Sequence, residues 1–430
     1  MNKIIFCLLF CTCTIKSFAQ KNDFVTTRGH HFFVNGQPYH YIGANYWYGA
    51  LLGLTPNGRE RLKKELDFLK QKGVINLRVL AAAEGEGLIS GVLRVEPAFQ
   101  PEKGMYKKEV LAGLDFLLSE MGKRNMKAVL YLTNNWEWSG GFLQYLNWNG
   151  LLPDSTMRHK LTWEDQSAYT SKFYTCTPCI QQEAEVIKKI VGRTNTITHK
   201  KYADDAAIMS WELANEPRPM EPEALNAYNT WISGTAASIK KLDKNHMVTA
   251  GIEGDIGTGG MDNFIAMQQN KNIDYATIHI WPKNWGWFSD TSIAKGMDTI
   301  IKNTQDYISR HVLAMQKVNK PLVIEEFGLP RDEHLFTLKA TTHSRDEYYS
   351  FMFNQLLSSV KEGGVINGAN FWAFGGMGRP TYKQKLWQKG EDMLGDPPFE
   401  EQGLNTVFDA DISTWKLITN FIKKLNKIGK

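Results

Sequence analysis

The stretch "AIMSWELANEPRPM" at 207–220 ends an apolar run in two glutamates four apart, Glu212 and Glu216, followed by Pro217. A second run, "LVIEEFG" at 322–328, ends in the neighbours Glu325 and Glu326. Two carboxyl groups that meet across one cleft have a defined use. One protonates a glycosidic oxygen and the other attacks the anomeric carbon, which requires them to lie about 5–5.5 Å apart. Strand periodicity sorts the first pair: both side chains can share a face, but Glu212 lies deeper along the strand, at about 3.3 Å per residue. An unpaired charge at that depth is very costly. Glu212 is therefore read as a hydrogen-bonded strut, and Glu216, at the strand mouth, as the group free for catalysis. Glu325 and Glu326 are expected to face opposite ways, and spacing alone does not choose between them.

Such groups need a frame that brings distant strand ends together. Short apolar runs alternate with stretches of helical period, the pattern of βα units around a parallel sheet. Strands are expected at 41–46, 74–80, 127–133, 207–214, 247–252, 275–280, 322–327 and 365–374. Helices are expected at 59–73, 108–124, 180–193, 223–242, 292–318, 345–363 and 411–428, with a weak one after the fifth strand near "MDNFIAMQQN". This alternation predicts a single (β/α)₈ TIM barrel whose function sits on the loops after the strands. A doubly wound open sheet is the alternative. Long insertions are expected after strands 3 and 8, beginning at "NNWEWSGG" and "GGMGRPTY". No Pro/Ser-rich linker or internal repeat interrupts the chain, so residues 20–430 are expected to form one domain.

Residues 1–19 read as a signal peptide: Lys3, an apolar stretch from Ile4 and a small-residue exit at Ser17-Phe18-Ala19. Cleavage near Ala19 predicts a secreted protein, periplasmic or extracellular. The leader is too short to span a bilayer, which takes about 20 residues, and no other run qualifies. Cys176 and Cys179, in "YTCTPC", suit a local disulfide in an exported chain; one pair is too few for a four-ligand zinc site. The net charge of +5 is carried by scattered lysines without a basic stripe, which argues against a nucleic-acid partner. "GEDMLGDPP" lacks calcium-loop spacing, and "GIEGDIGTGG" lacks the Gly-Lys-Ser/Thr ending of a phosphate loop. No metal or cofactor is expected. The chain has 13 tryptophans, several of them near expected strand ends, which suggests a stacking surface for a flat ligand.

The segments "WELANEPR", "VIEEFG", "HIWPKNW", "NNWEWSGG", "GDPPFEEQGLNTVFDAD" and "FFVNGQPYHYIGANYW" together resemble glycoside hydrolase family 5, and within it the β-mannanase subfamily. The resemblance runs over essentially the whole mature chain. It implies a retaining endo-β-1,4-mannanase, acting as a monomer on mannan, glucomannan or galactomannan. It assigns the acid/base to Glu216 and the nucleophile to Glu326, the glutamate directly before Phe327-Gly328. Asn215 matches the asparagine that bonds the sugar 2-hydroxyl, and Arg78 the arginine that keeps the nucleophile ionised. His279 and Trp372 match a strand-six histidine and the aromatic floor of the reacting subsite. Arg218 and Trp136 match contacts on the leaving-group side, Trp136 by stacking. Many members have His-x-Tyr on strand six, with the tyrosine bonded to the nucleophile. This chain has His279-Ile280-Trp281, so the indole of Trp281 is the expected donor. The acid/base is expected to have a carboxyl pKa raised by burial and by its partner carboxylate. Other readings are a related endo-β-1,4-glucanase, a transglycosylase, or a non-catalytic glycan-binding barrel. The last has no need of Glu216, Glu326, Arg78 and Asn215 together.

Overall fold

Eight parallel strands form one sheet: β1 (Tyr41–Asn45), β2 (Asn76–Leu80), β3 (Lys127–Tyr131), β4 (Ile208–Glu212), β5 (Met247–Thr249), β6 (Ala276–Ile280), β7 (Leu322–Phe327) and β8 (Ile366–Phe371). Their order, β5-β4-β3-β2-β1-β8-β7-β6, runs around a barrel that is nearly closed. At the remaining seam β5 and β6 form no regular ladder. The Asp274 N–H donates to the Val248 carbonyl at 2.8 Å, Thr277 Oγ1 to the Ile252 carbonyl at 2.8 Å and the His279 N–H to the Glu253 carbonyl at 2.9 Å. The computed structural model describes residues 23–289, 292–381 and 385–428. The leader expected at 1–19 lies outside the described residues.

Eight helices wrap the sheet: α1 (Pro56–Lys72), α2 (Lys108–Lys123), α3 (Thr177–Val191), α4 (Leu225–Leu242), α5 (Met261–Gln268), α6 (Ile293–Val318), α7 (His343–Glu362) and α8 (Ile412–Leu425). Local chemistry sets their ends. Thr55 caps α1 by accepting from the Gly58 N–H at 3.1 Å, Pro56 fits the first turn, and Gly73 closes it in the left-handed region at φ 88°. The sequence "MDNFIAMQ" does form α5, the helix with the weakest signal. Cys176 and Cys179 are joined in a disulfide at the start of α3, as expected.

Two layers fill the barrel. At its foot, Tyr41, Val129, Met209, Met247, Tyr275 and Val323 pack with Val25 and with Phe32 of the N-terminal antiparallel sheet that begins just after Val25, which plugs that end. At its mouth the interior turns polar, with Asn45, Arg78, Glu212, His279, Glu325 and Glu326 all buried. The expected insertions follow β3, where three short helices run from Gly141 to Thr170, and β8, where the loop to α8 carries the short pair Phe374–Gly376 and Val407–Phe408. A third excursion, at 81–107 after β2, contains a small hairpin, Leu88–Ile89 with Val92–Leu93, that periodicity did not reveal. Among the described residues no helix is long and apolar enough to cross a membrane.

Candidate active site

Glu212 is the last residue of β4, and Arg78 is central in β2, two strands away around the barrel. Arg78 Nη2 donates to Glu212 Oε1 at 2.6 Å and Nε to Oε2 at 2.9 Å, a bidentate pair with both side chains fully buried. This is the strut role expected of Glu212. Burial pushes its carboxyl up to about 8, against the pull of Arg78. The same guanidinium donates to Glu326 Oε1, to Asn45 Oδ1 at 3.1 Å and to Asn215 Oδ1 at 2.7 Å. Its flat fork thus fixes four groups borne by β1, β7 and the end of β4.

Glu216 lies beyond the end of β4 with φ at 51°, in the left-handed region that non-glycine residues rarely adopt. Such strain persists only where neighbours over-determine it, and it concentrates at functional sites. Here the Glu216 N–H donates to the Gly251 carbonyl at 2.9 Å and Pro217 follows. Gly251 must be glycine: its φ is 75°, and a Cβ there would meet the Ala214 carbonyl oxygen at 2.1 Å.

The expected opposite facing of Glu325 and Glu326 is not observed. β6 and β7 pair Ile278 with Ile324 and then His279 with Glu326, so the register skips Glu325. A bulge of this kind breaks side-chain alternation, and both carboxylates reach the interior. Glu325 Oε2 lies 3.3 Å from His279 Nε2 and 3.6 Å from Arg78 Nε. Glu326 Oε2 accepts from the Trp281 indole N–H at 3.1 Å, the bond expected of tryptophan in that place.

An oxygen of Glu216, an oxygen of Glu326 and a ring nitrogen of His279 all lie within 4.8 Å of one another. Carboxyl groups this close suit direct attack on the anomeric carbon, whereas the inverting reaction needs about 6.5–9.5 Å to admit a water. His279 Nδ1 is 2.7 Å from Glu216 Oε1 and 3.6 Å from Glu326 Oε2. The Trp136 indole donates to Glu216 Oε2, so Trp136 bonds the carboxylate rather than only offering a stacking face.

Electrostatics in the site differ from expectation. Burial pushes the Glu216 carboxyl up, but the hydrogen bond and charge of His279, the charge of Arg218 and the Trp136 donor outweigh it, and the group titrates below the usual carboxylate range. Glu326 goes the other way: burial raises it to about 7, although His279 and Arg78 oppose the shift. Burial also disfavours the His279 cation, yet Glu326 and the bonds to Glu216 and Glu325 lift its pKa to about 10. The directions of these shifts favour the charged forms of both partners in the Glu216–His279 pair, which lie one hydrogen bond apart.

These residues open onto a cavity of about 600 Å³. Trp281 and Trp372 wall it beside Glu326, with rings in edge contact at 5.7 Å; Trp372 precedes a cis peptide to Ala373. Trp136, Arg218 and Asn215 line the side of Glu216. The Arg218 guanidinium sits over Trp136 at 5.2 Å and over Trp163 at 5.9 Å, and pairs with Glu253 through Nη2 at 2.6 Å. All nine residues singled out in the sequence thus meet in one place. Glu253, Trp163, Phe399 and Glu400 also line it and were missed. Glu253 had a signal, as the first acid past the fifth strand. Trp163 and Glu400 lie inside insertions, where no periodicity applies. A hollow of similar volume at the barrel foot, near Asp23, Lys127 and Lys200, has no glutamate and no tryptophan in its lining.

A (β/α)₈ barrel with paired glutamates at the ends of strands 4 and 7 and a wall of tryptophans is built as a glycoside hydrolase. The family profile described as glycoside hydrolase family 5 beta-mannosidase-like matches residues 22–430, and the chain belongs to that family. Among similar proteins, mannan endo-1,4-beta-mannosidase 7 of Arabidopsis thaliana is 30% identical over 421 residues, covering 95% of this chain and 86% of its own. A solved glycoside hydrolase family 5 mannosidase from Rhizomucor miehei, in complex with mannosyl-fructose, is 32% identical with a TM-score of 0.86, covering 95% of this chain and 99% of that one. An endo-1,4-beta-mannanase from Rhizomucor miehei shares the fold at a TM-score of 0.64 and 22% identity, over 94% of this chain and 99% of that one.

Proposed function

We propose that the chain hydrolyses β-1,4-mannosidic bonds in mannan, glucomannan or galactomannan with retention of configuration. The observation that carries this reading is the meeting of Glu216 and Glu326 within 4.8 Å at the ends of two strands, in a tryptophan-walled cavity. Glu326 attacks the anomeric carbon, forming a glycosyl-enzyme as the bond to the leaving oxygen breaks. Glu216 protonates that oxygen. Its proton comes from His279 Nδ1, 2.7 Å away, when the entering sugar strips water from the carboxylate and the burial cost of its charge rises. Glu216, again a carboxylate, then takes a proton from water, which attacks the sugar and releases Glu326.

Asn215, its Oδ1 bonded to Arg78 and its Nδ2 to Asn134 at 3.1 Å, is held to bond the sugar 2-hydroxyl. Arg78 and Trp281 hold the nucleophile, and Trp372 is the floor beneath the reacting ring. Arg218 and Trp136 contact the leaving-group sugar. The mature enzyme, residues 20–430, acts as a secreted monomer after cleavage near Ala19; the mass of the exported protein tests that boundary. The relatives named mannan endo-1,4-beta-mannosidases favour internal cleavage of the polymer. The deciding assay compares linear mannan, carboxymethyl-cellulose and manno-oligosaccharides, with Glu216→Gln and Glu326→Gln beside the wild type. A faster rate on cellulose, or an unimpaired variant, overturns the proposal.

A further inference from the structure

Glu325 has no part in the reaction cycle set out above, yet it is buried among the groups that do. The bulge between β6 and β7 turns its side chain inward beside that of Glu326, and bulges next to active sites serve to re-aim a side chain. The Glu325 carbonyl accepts from Asn45 Nδ2 at 2.9 Å, and Asn45 Oδ1 accepts from Arg78 Nη1 at 3.1 Å, so the bulge is pinned through Asn45 to the guanidinium that orders the site. Glu212 shows what a structural acid looks like here: both of its oxygens accept from Arg78, at 2.6 and 2.9 Å. Glu325 is not saturated in that way. Its Oε2 lies 3.3 Å from His279 Nε2 and 3.6 Å from Arg78 Nε, and no donor among the described residues reaches its buried Oε1. An under-bonded carboxylate is a costly strut. The hydrogen bond its side chain does make is to His279.

His279 is fully buried and faces carboxylates on both sides. Nδ1 is 2.7 Å from Glu216 Oε1 and 3.6 Å from Glu326 Oε2, while Nε2 faces Glu325. Glu212 at the end of β4 and Glu253 past β5 act on the ring at longer range. Glu325 itself is faced by His279 from β6, Arg78 from β2, Glu212 from β4, Glu326 from β7, and the phenols of Tyr41 and Tyr275. When an imidazolium gives up one proton, the hydrogen bond at each nitrogen decides which one keeps its own. A carboxylate at Nε2 keeps that N–H in place, so the proton that leaves is the one on Nδ1, toward Glu216. Without an acceptor at Nε2 the neutral ring would keep its proton on Nδ1, bonded to Glu216, with none to give.

We infer that Glu325 is a positioning residue for proton transfer: through His279 Nε2 it holds the imidazole in the form that exchanges a proton between Nδ1 and Glu216. The inference rests on the proposed roles of Glu216 and Glu326 and adds a third carboxylate to them. As the leaving group departs, the Nδ1–H bond breaks and the proton passes to Glu216 and on to the leaving oxygen, while Nε2 stays protonated against Glu325. When water attacks the glycosyl-enzyme, Glu216 takes a proton from it and returns one to Nδ1, which restores the imidazolium. Glu325 exchanges no proton at any step.

The test begins with Glu325→Gln, which keeps the size of the side chain and removes its charge. A negative charge beside the ring favours the imidazolium, so the variant should lower the His279 pKa from about 10, by about one pH unit. The basic limb of kcat/KM should move down with it. Glu325 also raises the Glu326 carboxyl, so the acid limb should move down as well. Nitrogen NMR of histidine-labelled protein, with His279 assigned by its loss in His279→Asn, reads the first shift without turnover. Glu325→Leu, which removes charge and acceptor together, should lose about 10- to 100-fold in kcat/KM on mannotriose, a part of the roughly 10²–10⁴-fold that positioned proton transfer contributes. It should lose less in forming the glycosyl-enzyme from an aryl mannoside whose leaving group needs little protonation. If Glu325→Gln leaves the His279 titration and both limbs in place, or the losses of Glu325→Leu are equal on the two substrates, Glu325 is a structural acid and the inference fails while the proposed function stands. A wild type inactive on every β-mannoside overturns both.

Discussion

Beside Glu400, which shares the cavity wall with Glu326, the side chains of Lys283, His334 and Lys385 converge on Glu401 and tie three loops together. The flank of Glu216 instead ends in an apolar rim, with Trp163 and Ile256 showing 54% and 47% of their surfaces to solvent. The buried centre between them is rigid: one guanidinium holds Glu212, Glu326, Asn45 and Asn215 at once. The contrast teaches how one barrel divides its labour. Charge and backbone hydrogen bonds fix the half where the proposed mechanism places covalent chemistry, to a fraction of an ångström. Flat faces, which tolerate different rings and registers, line the half to which the proposed mechanism assigns the leaving-group sugar.

The two halves break differently under mutation. Glu326→Gln removes the proposed nucleophile and should lower kcat on the order of 10⁴–10⁶-fold on every substrate, as loss of a covalent catalyst does. Glu216→Gln removes only proton transfer, worth about 10²–10⁴-fold, and the loss should shrink for glycosyl-enzyme formation from an aryl mannoside whose leaving group needs little help. Burst kinetics with such a substrate check this. Equal losses for both variants on both substrates would sink the division of roles.

Arg78→Met tests the shared centre. Removing the cation leaves Glu212 fully buried without its bidentate partner. The expected cost is about 3–5 kcal/mol of stability, read as a lower midpoint in denaturant, together with loss of activity. A variant that unfolds at the wild-type midpoint would show that the guanidinium is not a keystone.

The pH profile reports the cluster as a unit. Glu326 must be ionised to attack, and with its pKa pushed up to about 7 the active form is lost as pH falls through that value. The acid limb of kcat/KM should therefore lie above the ordinary carboxylate range. His279 lowers the Glu326 pKa by its charge. His279→Asn should accordingly move the limb to higher pH, and a limb that stays put or moves down contradicts the assignment.

Much of this was legible in the sequence because barrel strands are short apolar runs with a fixed period. The eight runs put Glu216 and Glu326 at strand mouths, and the depth of Glu212 marked it as a strut. Three things were not legible, each for a physical reason. The bulge at Glu325 arises from how β6 and β7 pair, which neither strand encodes alone. The raised pKa of His279 depends on three carboxylates gathered from the ends of β4 and β7. Glu400 and Glu401 sit in a loop whose shape is set by Asp396 and by anchors as distant as Arg61 and Arg345, so adjacent identical residues carry no signal of which one faces in.

The smallest expected effect belongs to the open rim. Trp163 adds its ring to the Trp136–Arg218 stack and is otherwise half exposed, so Trp163→Ala should leave folding and kcat near wild type. Its contribution is a stacking contact of about 0.5–1.5 kcal/mol, or roughly a 2- to 12-fold rise in KM. That rise should appear only with substrates long enough to reach beyond the first leaving-group sugar, and it should be absent with aryl mannosides. Comparing KM along a series of manno-oligosaccharides of increasing length locates the rim. A uniform rise at every length would place Trp163 in the architecture of the site and erase the contrast between its two flanks.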